Sequence, residues 1–291
     1  MLLNQAANDT VSFLEQKAAD IRKDIINMIH HAGAGHPGGA LSAADIITAL
    51  YFHVMNIDPK NPKDEGRDRF VLSKGHACPA LYAALAERGF FRMEHLETLR
   101  QNDSILQGHP DMNKTPGIDI TTGSLGNGLS IGVGMAMLAS ILDKEYNVYV
   151  LMGDGELQEG SIWEAAMAAS HHRLKNLIAI VDYNGLQING WVNDELRIEP
   201  LEEKWKAFGW QVIRIDGHSM QEIIHAFSIS KKMCCPTVII ADTVKGKGVS
   251  FMENVAEWHG KAPNAEQAKK AVFEILHGGE NNVAFNKNVV W

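Results

Sequence analysis

Five short apolar runs, separated by longer stretches with helical patterns, constrain the fold of this 291-residue chain most strongly. The runs cover residues 69–72, 147–152, 177–182, 211–215 and 237–242. Nearly continuous apolar runs of this length are typical of strands buried on both faces of a parallel sheet. Apolar or small residues at helical spacing predict helices at 11–31, 42–54 and 130–142. The sequence therefore predicts an α/β fold with a doubly wound, mostly parallel sheet, whose ligands bind at the carboxyl ends of the strands.

We interpret residues 1–291 as a single domain, because no internal repeat, low-complexity tract or clear linker divides the chain. We expect a looser C-terminal tail after about residue 262.

The composition narrows the class of function. A formal net charge of −8 without a basic stripe argues against a nucleic-acid partner, since phosphate backbones would be repelled. Three cysteines are too few for a disulfide framework, which fits a reducing compartment. The charged N-terminal stretch has no apolar signal core, and no other stretch is long and apolar enough to span a membrane. We therefore expect a cytoplasmic protein with no membrane partner.

Polar residues follow two of the predicted strands. Asp154 lies in a Gly-Asp-Gly turn directly after 147–152, and Asn184 follows 177–182. Carboxylate and amide oxygens are ligands that Mg²⁺ prefers, and Gly153 and Gly155 would let the backbone approach a phosphate. This pair of motifs favours a metal–diphosphate site. An ordinary strand-to-turn junction contains the same residue types and stays open as the alternative.

A glycine-rich segment at 121–128 leads directly into the helix predicted at 130–142. Backbone amides at such a junction bind anions without a positive side chain, which suits an acidic protein that holds a diphosphate. A tightly packed loop before a helix would have the same composition. The glycine spacing differs from the dinucleotide-binding fingerprint, and no strand leads into it.

Four histidines lie beside glycine or proline in predicted loops. They are His36, His76, His109 and His259. Histidine titrates near neutral pH and both binds hydroxyls and transfers protons, so a convergent set suits chemistry on a polyol or carbonyl substrate. Each one alone is equally compatible with a structural loop histidine. Zinc is disfavoured, because no close His/Cys pair has the spacing of zinc ligands.

Seven motifs occur together along the chain. They are Gly35-His36-Pro37-Gly38, Leu72-Ser73-Lys74-Gly75-His76, Gly108-His109-Pro110, Thr121-Thr122-Gly123-Ser124-Leu125-Gly126, Gly153-Asp154-Gly155, Asp182-Tyr183-Asn184 and Trp258-His259-Gly260-Lys261. In this order they resemble the N-terminal half of transketolase. The resemblance implies a thiamine diphosphate-binding fold of the diphosphate-binding (PP) type. It also implies an enzyme that transfers a two-carbon ketol unit from a ketose donor to an aldose acceptor.

The resemblance also implies roles for individual residues. Mg²⁺, with Ca²⁺ or Mn²⁺ as substitutes, would be ligated by Asp154, Asn184 and the carbonyl of Leu186. Thiamine diphosphate would be held by His76, Gly123, Ser124, Leu125, Gly155, Asn184 and His259. The donor and its proton transfers would involve His36, His109 and His259. Glu159 would lie between the two active sites of a dimer as a proton relay, and Lys261 would face the substrate entrance.

Transketolases are considerably longer than this chain, and their second half contributes the glutamate that activates the cofactor's aminopyrimidine. We therefore expect a partner subunit that carries the pyrimidine-binding and C-terminal domains, in an α2β2 heterotetramer that is inactive without it. The substrates would be sugar phosphates or other anionic sugars, and the sequence does not choose between xylulose 5-phosphate, a branched-sugar phosphate and a sulfonated sugar. Two alternatives stay open: the α-type subunit of a 2-oxoacid dehydrogenase, and a non-catalytic, regulatory thiamine diphosphate-binding module.

Overall fold

A five-stranded sheet forms the centre of the structure, a computed structural model that describes residues 2–278, with side chains from residue 8 onward. The strands are β1 (Arg69–Leu72), β2 (Val148–Gly153), β3 (Leu177–Tyr183), β4 (Gln211–Asp216) and β5 (Thr237–Asp242). Every neighbouring pair is parallel, in the order β1-β2-β3-β5-β4. The predicted parallel sheet is confirmed, and each strand's ends lie within one residue of the predicted bounds.

Helices connect and flank the strands. They are α1 (Leu2–Ala32), α2 (Pro37–Ala49), α3 (Cys78–Arg88), α4 (Gly128–Ile141), α5 (Gly160–His171), α6 (Val192–Glu195), α7 (Leu201–Ala207), α8 (Met220–Ser230) and α9 (Ala265–Leu276). The helix predicted at 42–54 begins earlier, because Pro37 occupies its first turn, where a missing N–H costs no hydrogen bond. It ends in a short π-helical turn, Leu50–Val54.

The sheet is covered on both faces, as a doubly wound fold requires. Side chains alternate along β2: Val148, Val150 and Met152 pack into the core formed with α4 and α5. Tyr149 and Leu151 belong to the opposite core, which includes α1, α2, α3 and α8. Because every residue of the strand faces a core, the strand reads as a continuous apolar run in the sequence.

The region after residue 262 differs from the looser tail that the sequence predicts. Asn264 and Gln267 form a reciprocal capping box at the start of α9. Ala268, Ala271 and Val272 are buried within the core that contains α1. Ala268, Ala271, Val272 and Ile275 recur at helical spacing, a signal that the sequence prediction overlooked. Residues 279–291 lie outside the described part of the chain.

Other sequence expectations can be compared directly with the structure. No helix within residues 2–278 is long and apolar enough to cross a membrane. Cys78 is buried, whereas Cys234 is exposed, and both are free thiols.

Candidate functional site

A cavity of about 300 Å³ opens at the carboxyl ends of β2 and β3. The predicted site residues that line it are His76, Leu125, Asp154, Gly155, Glu159, Asn184, Leu186 and His259. The parallel register places Gly153 beside Asp182, so the residues that follow these two strands meet at one edge of the sheet. The cavity therefore lies where a doubly wound sheet binds its ligands.

Asp154 forms part of the cavity floor and is only 3% exposed. Its Oδ1 accepts a hydrogen bond from the Gly155 amide at 2.7 Å, and its Oδ2 accepts one from the Gly185 amide at 2.5 Å. Burial, with a smaller contribution from the nearby Asp182 carboxylate, raises the pKa of Asp154 to about 6. A cation bound here would favour the ionised carboxylate.

The other two predicted metal ligands lie close to Asp154 in the chain's fold. Asn184 Oδ1 accepts a hydrogen bond from the Leu186 amide at 3.1 Å, and its Nδ2 donates to Ser42 Oγ at 3.3 Å. The Leu186 carbonyl accepts a hydrogen bond from Lys245 Nζ at 3.0 Å. Amide oxygens keep a second lone pair, and a carboxylate with two carbonyl-type oxygens suits Mg²⁺. The residues present therefore fit a Mg²⁺ site.

A purely side-chain metal centre is absent from the described residues, where no group of three or more His, Cys, Asp or Glu side chains could hold an ion. A magnesium site made of Asp154 and carbonyl oxygens is of a different kind, since phosphates and water usually supply the remaining ligands.

A buried ion pair supports this floor from below. Lys74 Nζ donates to Asp182 Oδ2 and, at 3.0 Å, to the Gly39 carbonyl. The Lys74 and Asp182 side chains are 2% and 0% exposed. Burial opposes the charge on Asp182, but the Lys74 ammonium outweighs it and lowers the pKa of that carboxyl. The two charges therefore compensate each other inside the protein.

Lys245 is a second buried lysine, and sequence reasoning missed it. Its Nζ lies 3.0 Å from His259 Nδ1 as well as from the Leu186 carbonyl. Burial, followed by repulsion from Lys74, lowers the pKa of Lys245 to about 8. Its only local signal is the pair of nearby glycines in Lys245-Gly246-Lys247-Gly248, which does not distinguish it from a surface loop lysine. Lys74 lies within one of the seven motifs, but the motif alone assigns it no role.

The glycine-rich segment is tied to the strand ends by Glu156. The buried Glu156 carboxylate accepts hydrogen bonds from Ser73 Oγ, from the Gly126 amide at 2.9 Å and from the Gly153 amide at 3.1 Å. Gly126 has a φ of +86°, and a Cβ there would lie 2.7 Å from Glu159 Cβ. The loop thus needs glycine at this position in order to reach the sheet edge.

The predicted diphosphate-binding residues occupy different parts of this region. Leu125 lines the cavity, and Ser124 is exposed. Gly123 lies against the His109 ring: a Cβ on Gly123 would lie 3.2 Å from His109 Cδ2. A Cβ on Gly155 would meet Gln187 Oε1 at 2.8 Å, so this glycine permits a close chain approach at the cavity wall.

Three of the four loop histidines form one cluster, the histidine cluster, which consists of His36, His76 and His259. Their ring centroids are 5.2–5.4 Å apart. Burial, together with neighbouring cationic or imidazole groups, lowers the pKa of His36 and of His259 to about 4. The pKa of His76 is also lowered well below its ordinary value, chiefly by burial. The buried Nδ1 of His36 has no hydrogen-bond partner among the residues that the structure describes. The cluster is therefore neutral at pH 7 and has an unused polar atom.

The remaining predicted residues lie at the edges of the site. His109 is exposed beside Gly123, and its pKa is lowered by burial of part of the ring and by Arg100. Glu159 is exposed at the cavity rim. Lys261 pairs with Glu257 at 2.5 Å and lies over the Trp258 ring, 5.2 Å from its centroid.

Two further strand-end carboxylates, Asp216 and Asp242, lie at the β4–β5 side of the sheet. Asp242 pairs with Arg214 there, with Nη2 and Oδ1 2.8 Å apart. Asp216 Oδ1 accepts a hydrogen bond from the His218 amide at 2.8 Å.

Comparison with known proteins gives a consistent result. A family model described as the thiamine diphosphate binding domain of transketolase matches residues 14–286. The chain is 48% identical over 266 residues to one of the subunits of the apulose-4-phosphate transketolase of Phocaeicola vulgatus, covering 91% of this chain and 94% of that one. It is 48% identical over 267 residues to the 6-deoxy-6-sulfo-D-fructose transketolase subunit SqwG of a Clostridium species, covering 91% and 97%.

A solved structure agrees with these sequence relatives. The transketolase of Campylobacter jejuni superposes with a TM-score of 0.87 at 35% identity, over 95% of this chain. The chain spans only 44% of that longer transketolase.

Proposed function

The chain belongs to the family of transketolase thiamine diphosphate binding domains, and from this premise we propose that it is the diphosphate-binding subunit of a split transketolase. The observation that carries the proposal is the convergence of Asp154 with His76 and His259 of the histidine cluster on one cavity. The proposed reaction transfers a two-carbon ketol unit from a ketose to an aldose.

Mg²⁺ and thiamine diphosphate would bind at the strand ends. Asp154, Asn184 and the Leu186 carbonyl would ligate Mg²⁺, for which Ca²⁺ or Mn²⁺ can substitute. Backbone groups at Gly123-Ser124-Leu125 and Gly155 would face the diphosphate, with His76 and His259 contacting the cofactor. When bound, thiamine diphosphate supplies the nucleophilic carbon and the electron sink for breaking and forming a carbon–carbon bond. The buried cation of Lys245 favours an anionic ligand in the same cavity.

The loop histidines would handle the sugar and its protons. A neutral imidazole can accept a proton from a substrate hydroxyl, and the lowered pKa values of His36, His109 and His259 keep these rings neutral at pH 7. The unpaired His36 Nδ1 supplies one polar atom that a bound donor would satisfy. In this role His36, His109 and His259 would bind substrate hydroxyls and then accept protons from them.

A partner subunit would complete the site. The two relatives named as transketolase subunits match this chain over 94% and 97% of their own length. Large apolar side chains are exposed at the cavity and next to it: Leu125 and Ile188, which line it, are 38% and 66% exposed, and Trp191, which pairs with Leu186, is 50% exposed. Exposed apolar groups next to a binding cavity are typical of an interface. We therefore assign this rim to the subunit that carries the pyrimidine-binding and C-terminal domains, in a cytoplasmic α2β2 assembly with Glu159 near the contact.

The donor and acceptor would be anionic sugars. Both subunit relatives act, by name, on ketoses that carry a phosphate or a sulfonate. The proposal extends this chemical class to the present chain and leaves the individual sugar to a donor screen.

The first test is the substitution Asp154→Ala. Removing the buried carboxylate should weaken Mg²⁺-dependent binding of thiamine diphosphate by about a hundredfold or more, because the metal would lose its charged protein ligand. Binding is measured by tryptophan fluorescence titration of the assembled complex. Glu203→Ala removes an exposed carboxylate in α7 and should leave the affinity unchanged. Wild-type affinity in Asp154→Ala would contradict the metal assignment.

The partner is tested by native mass spectrometry of the tagged chain recovered from its own host with Mg²⁺ and thiamine diphosphate. A stoichiometric second chain, together with turnover of a ketose donor without lipoamide, would support the split transketolase. Turnover that requires lipoamide would indicate a 2-oxoacid dehydrogenase subunit. Recovery without partner or cofactor would favour the non-catalytic binding module.

A further inference from the structure

A histidine outside the cavity connects three distant segments of the chain. His218 follows β4, and its Nδ1 lies 2.6 Å from Asp45 Oδ2 in α2. Its Nε2 accepts a hydrogen bond from the Val244 amide at 2.9 Å. The side chain is only 11% exposed, so water does not readily replace either contact.

The contacts determine the tautomer of His218. A backbone N–H can only donate, so the Nε2 that faces Val244 must be the unprotonated nitrogen. The proton is then on Nδ1, where it is donated to Asp45. Arg22 donates to both oxygens of Asp45: Nη1 lies 3.0 Å from Oδ1, and Nη2 lies 2.5 Å from Oδ2. Burial alone would raise the pKa of Asp45, but Arg22 and the His218 hydrogen bond lower it to about 2, so Asp45 remains an ionised acceptor.

Val244 immediately precedes Lys245, whose ammonium reaches the cavity. The Lys245 carbonyl accepts a hydrogen bond from the Asn254 amide at 2.9 Å. Contacts also hold the residues on either side: Thr243 Oγ1 donates to Asp182 Oδ1, and the Gly246 amide donates to the Gly38 carbonyl at 3.0 Å. The His218 contact lies between them, one residue from Lys245. Lys245 is 2% exposed, and its Nζ donates to the Leu186 carbonyl. A rotation of the Val244 peptide would therefore displace this Nζ.

From this geometry we propose that Arg22, Asp45 and His218 position Lys245 for anion binding, with His218 as the contact to the amide of the preceding residue, Val244. The proposal rests on the proposed function, in which Lys245 favours an anionic ligand in the cavity. The three residues do not touch the ligand and act only through the Val244 peptide. Their role is to keep a buried ammonium aimed into the cavity before the ligand arrives.

Two substitutions separate the two nitrogens of His218. In His218→Gln the side-chain oxygen can replace Nε2 as the acceptor for the Val244 amide. In His218→Asn the shorter amide can replace Nδ1 as the donor to Asp45 and leaves the Val244 amide without its acceptor. Loss of one hydrogen bond next to Lys245 should weaken thiamine diphosphate binding in the Asn variant by about three- to tenfold, with the Gln variant within about twofold of wild type.

Affinity is measured on the full chain assembled with its partner, with Mg²⁺ present, and amide hydrogen exchange is measured at Val244. Faster exchange in the Asn variant alone is expected. A double-mutant cycle with Lys245→Met then tests the route: when the ammonium is absent, His218→Asn should have no further effect on affinity. A merely structural role for His218 would weaken binding in both backgrounds.

Several outcomes would overturn the proposal. These are wild-type affinity in His218→Asn, equal loss in the Asn and Gln variants, or an additive cycle with Lys245→Met. If the Asn variant does not fold, weak binding of thiamine diphosphate by a folded Gln variant also overturns the proposal. Failure of the wild-type complex itself to bind thiamine diphosphate would instead reject the proposed function.

Discussion

The strand-end floor and the histidine cluster meet at the same cavity, which Asp154, His76 and His259 line, but they satisfy their polar groups in opposite ways. In the floor, formed by Lys74, Asp154, Asp182 and Asn184, the buried ammonium and carboxylate of Lys74 and Asp182 compensate each other. In the histidine cluster the rings touch one another, are held neutral, and leave the His36 Nδ1 without a partner.

The strand-end floor and the histidine cluster therefore suit two different tasks. Because the charges of Lys74 and Asp182 are already paired, this part of the floor is formed before any ligand binds and would place a metal beside Asp154 without rearrangement. An unpaired imidazole nitrogen is unfavourable in the free protein and would be satisfied by a substrate hydroxyl. We therefore expect the floor to govern stability and cofactor binding, and the histidine cluster to govern substrate binding and pH dependence.

Breaking the floor should have the largest effect on stability. Lys74→Met leaves the Asp182 carboxylate buried without its cation, which should lower the free energy of unfolding by about 3–5 kcal/mol. Urea unfolding of the ligand-free chain measures the loss. Lys206→Met is the matched control: it removes an exposed lysine paired with Glu202 at 3.3 Å, and should cost less than about 0.5 kcal/mol. A loss below about 1 kcal/mol in Lys74→Met would show that the pair does not support the floor.

The histidine cluster should respond to pH in a range where the Lys74–Asp182 pair does not. The pKa of His36 and of His259 is about 4 in the folded chain, below the ordinary value of 6.5. For each of these rings the unfolded chain binds more protons between these values, so the contribution of the ring to stability falls as the pH falls from 7 to 5. Each ring should contribute about 1–2 kcal/mol to this loss at pH 5. Asp154, whose pKa is raised to about 6, contributes in the opposite direction and cancels when wild type is compared with a variant of one ring.

The measurement is the free energy of unfolding at pH 7 and pH 5 for wild type and His36→Asn. The variant should lose less stability than wild type over this interval, because one of the two titrating rings is gone. The Asp182 carboxyl, whose pKa is lowered, should affect stability only below about pH 4. Identical pH slopes in wild type and His36→Asn would contradict the neutral cluster.

The sequence predicted the parts of the fold and site that local patterns determine. β2, β3 and β5 are buried along nearly their whole length, so each appears as a continuous apolar run, whereas the edge strand β4 is largely exposed and contains polar residues. Asp154 and Asn184 each follow such a run, and parallel pairing necessarily brings consecutive strand ends together.

The parts that the sequence did not predict depend on tertiary contacts between distant residues. Lys74 and Asp182 are 108 positions apart, and neither residue type alone indicates burial. Lys245 lies in a glycine-rich loop whose composition is that of an exposed turn, although the loop folds inward to Leu186 and His259. Which lysine is buried is decided by packing around it, and that information is not local.

The smallest expected effect concerns Lys261, an exposed lysine that contrasts with Lys74. Lys261 and Glu257 form an i,i+4 pair with side chains 46% and 66% exposed, so Lys261→Ala should change stability by less than about 0.5 kcal/mol. Because the side chain lies over Trp258 and away from the strand-end floor, thiamine diphosphate affinity should stay within about twofold of wild type.

If Lys261 faces the substrate entrance, KM for an anionic donor should rise while kcat is unchanged, since an exposed cation contributes attraction that is equal in the ground and transition states. Steady-state kinetics of the assembled enzyme at low and high salt measure this, and the increase in KM should shrink at high salt as the charge is screened. An unchanged KM at low salt would remove Lys261 from the site and leave its ion pair as a surface feature.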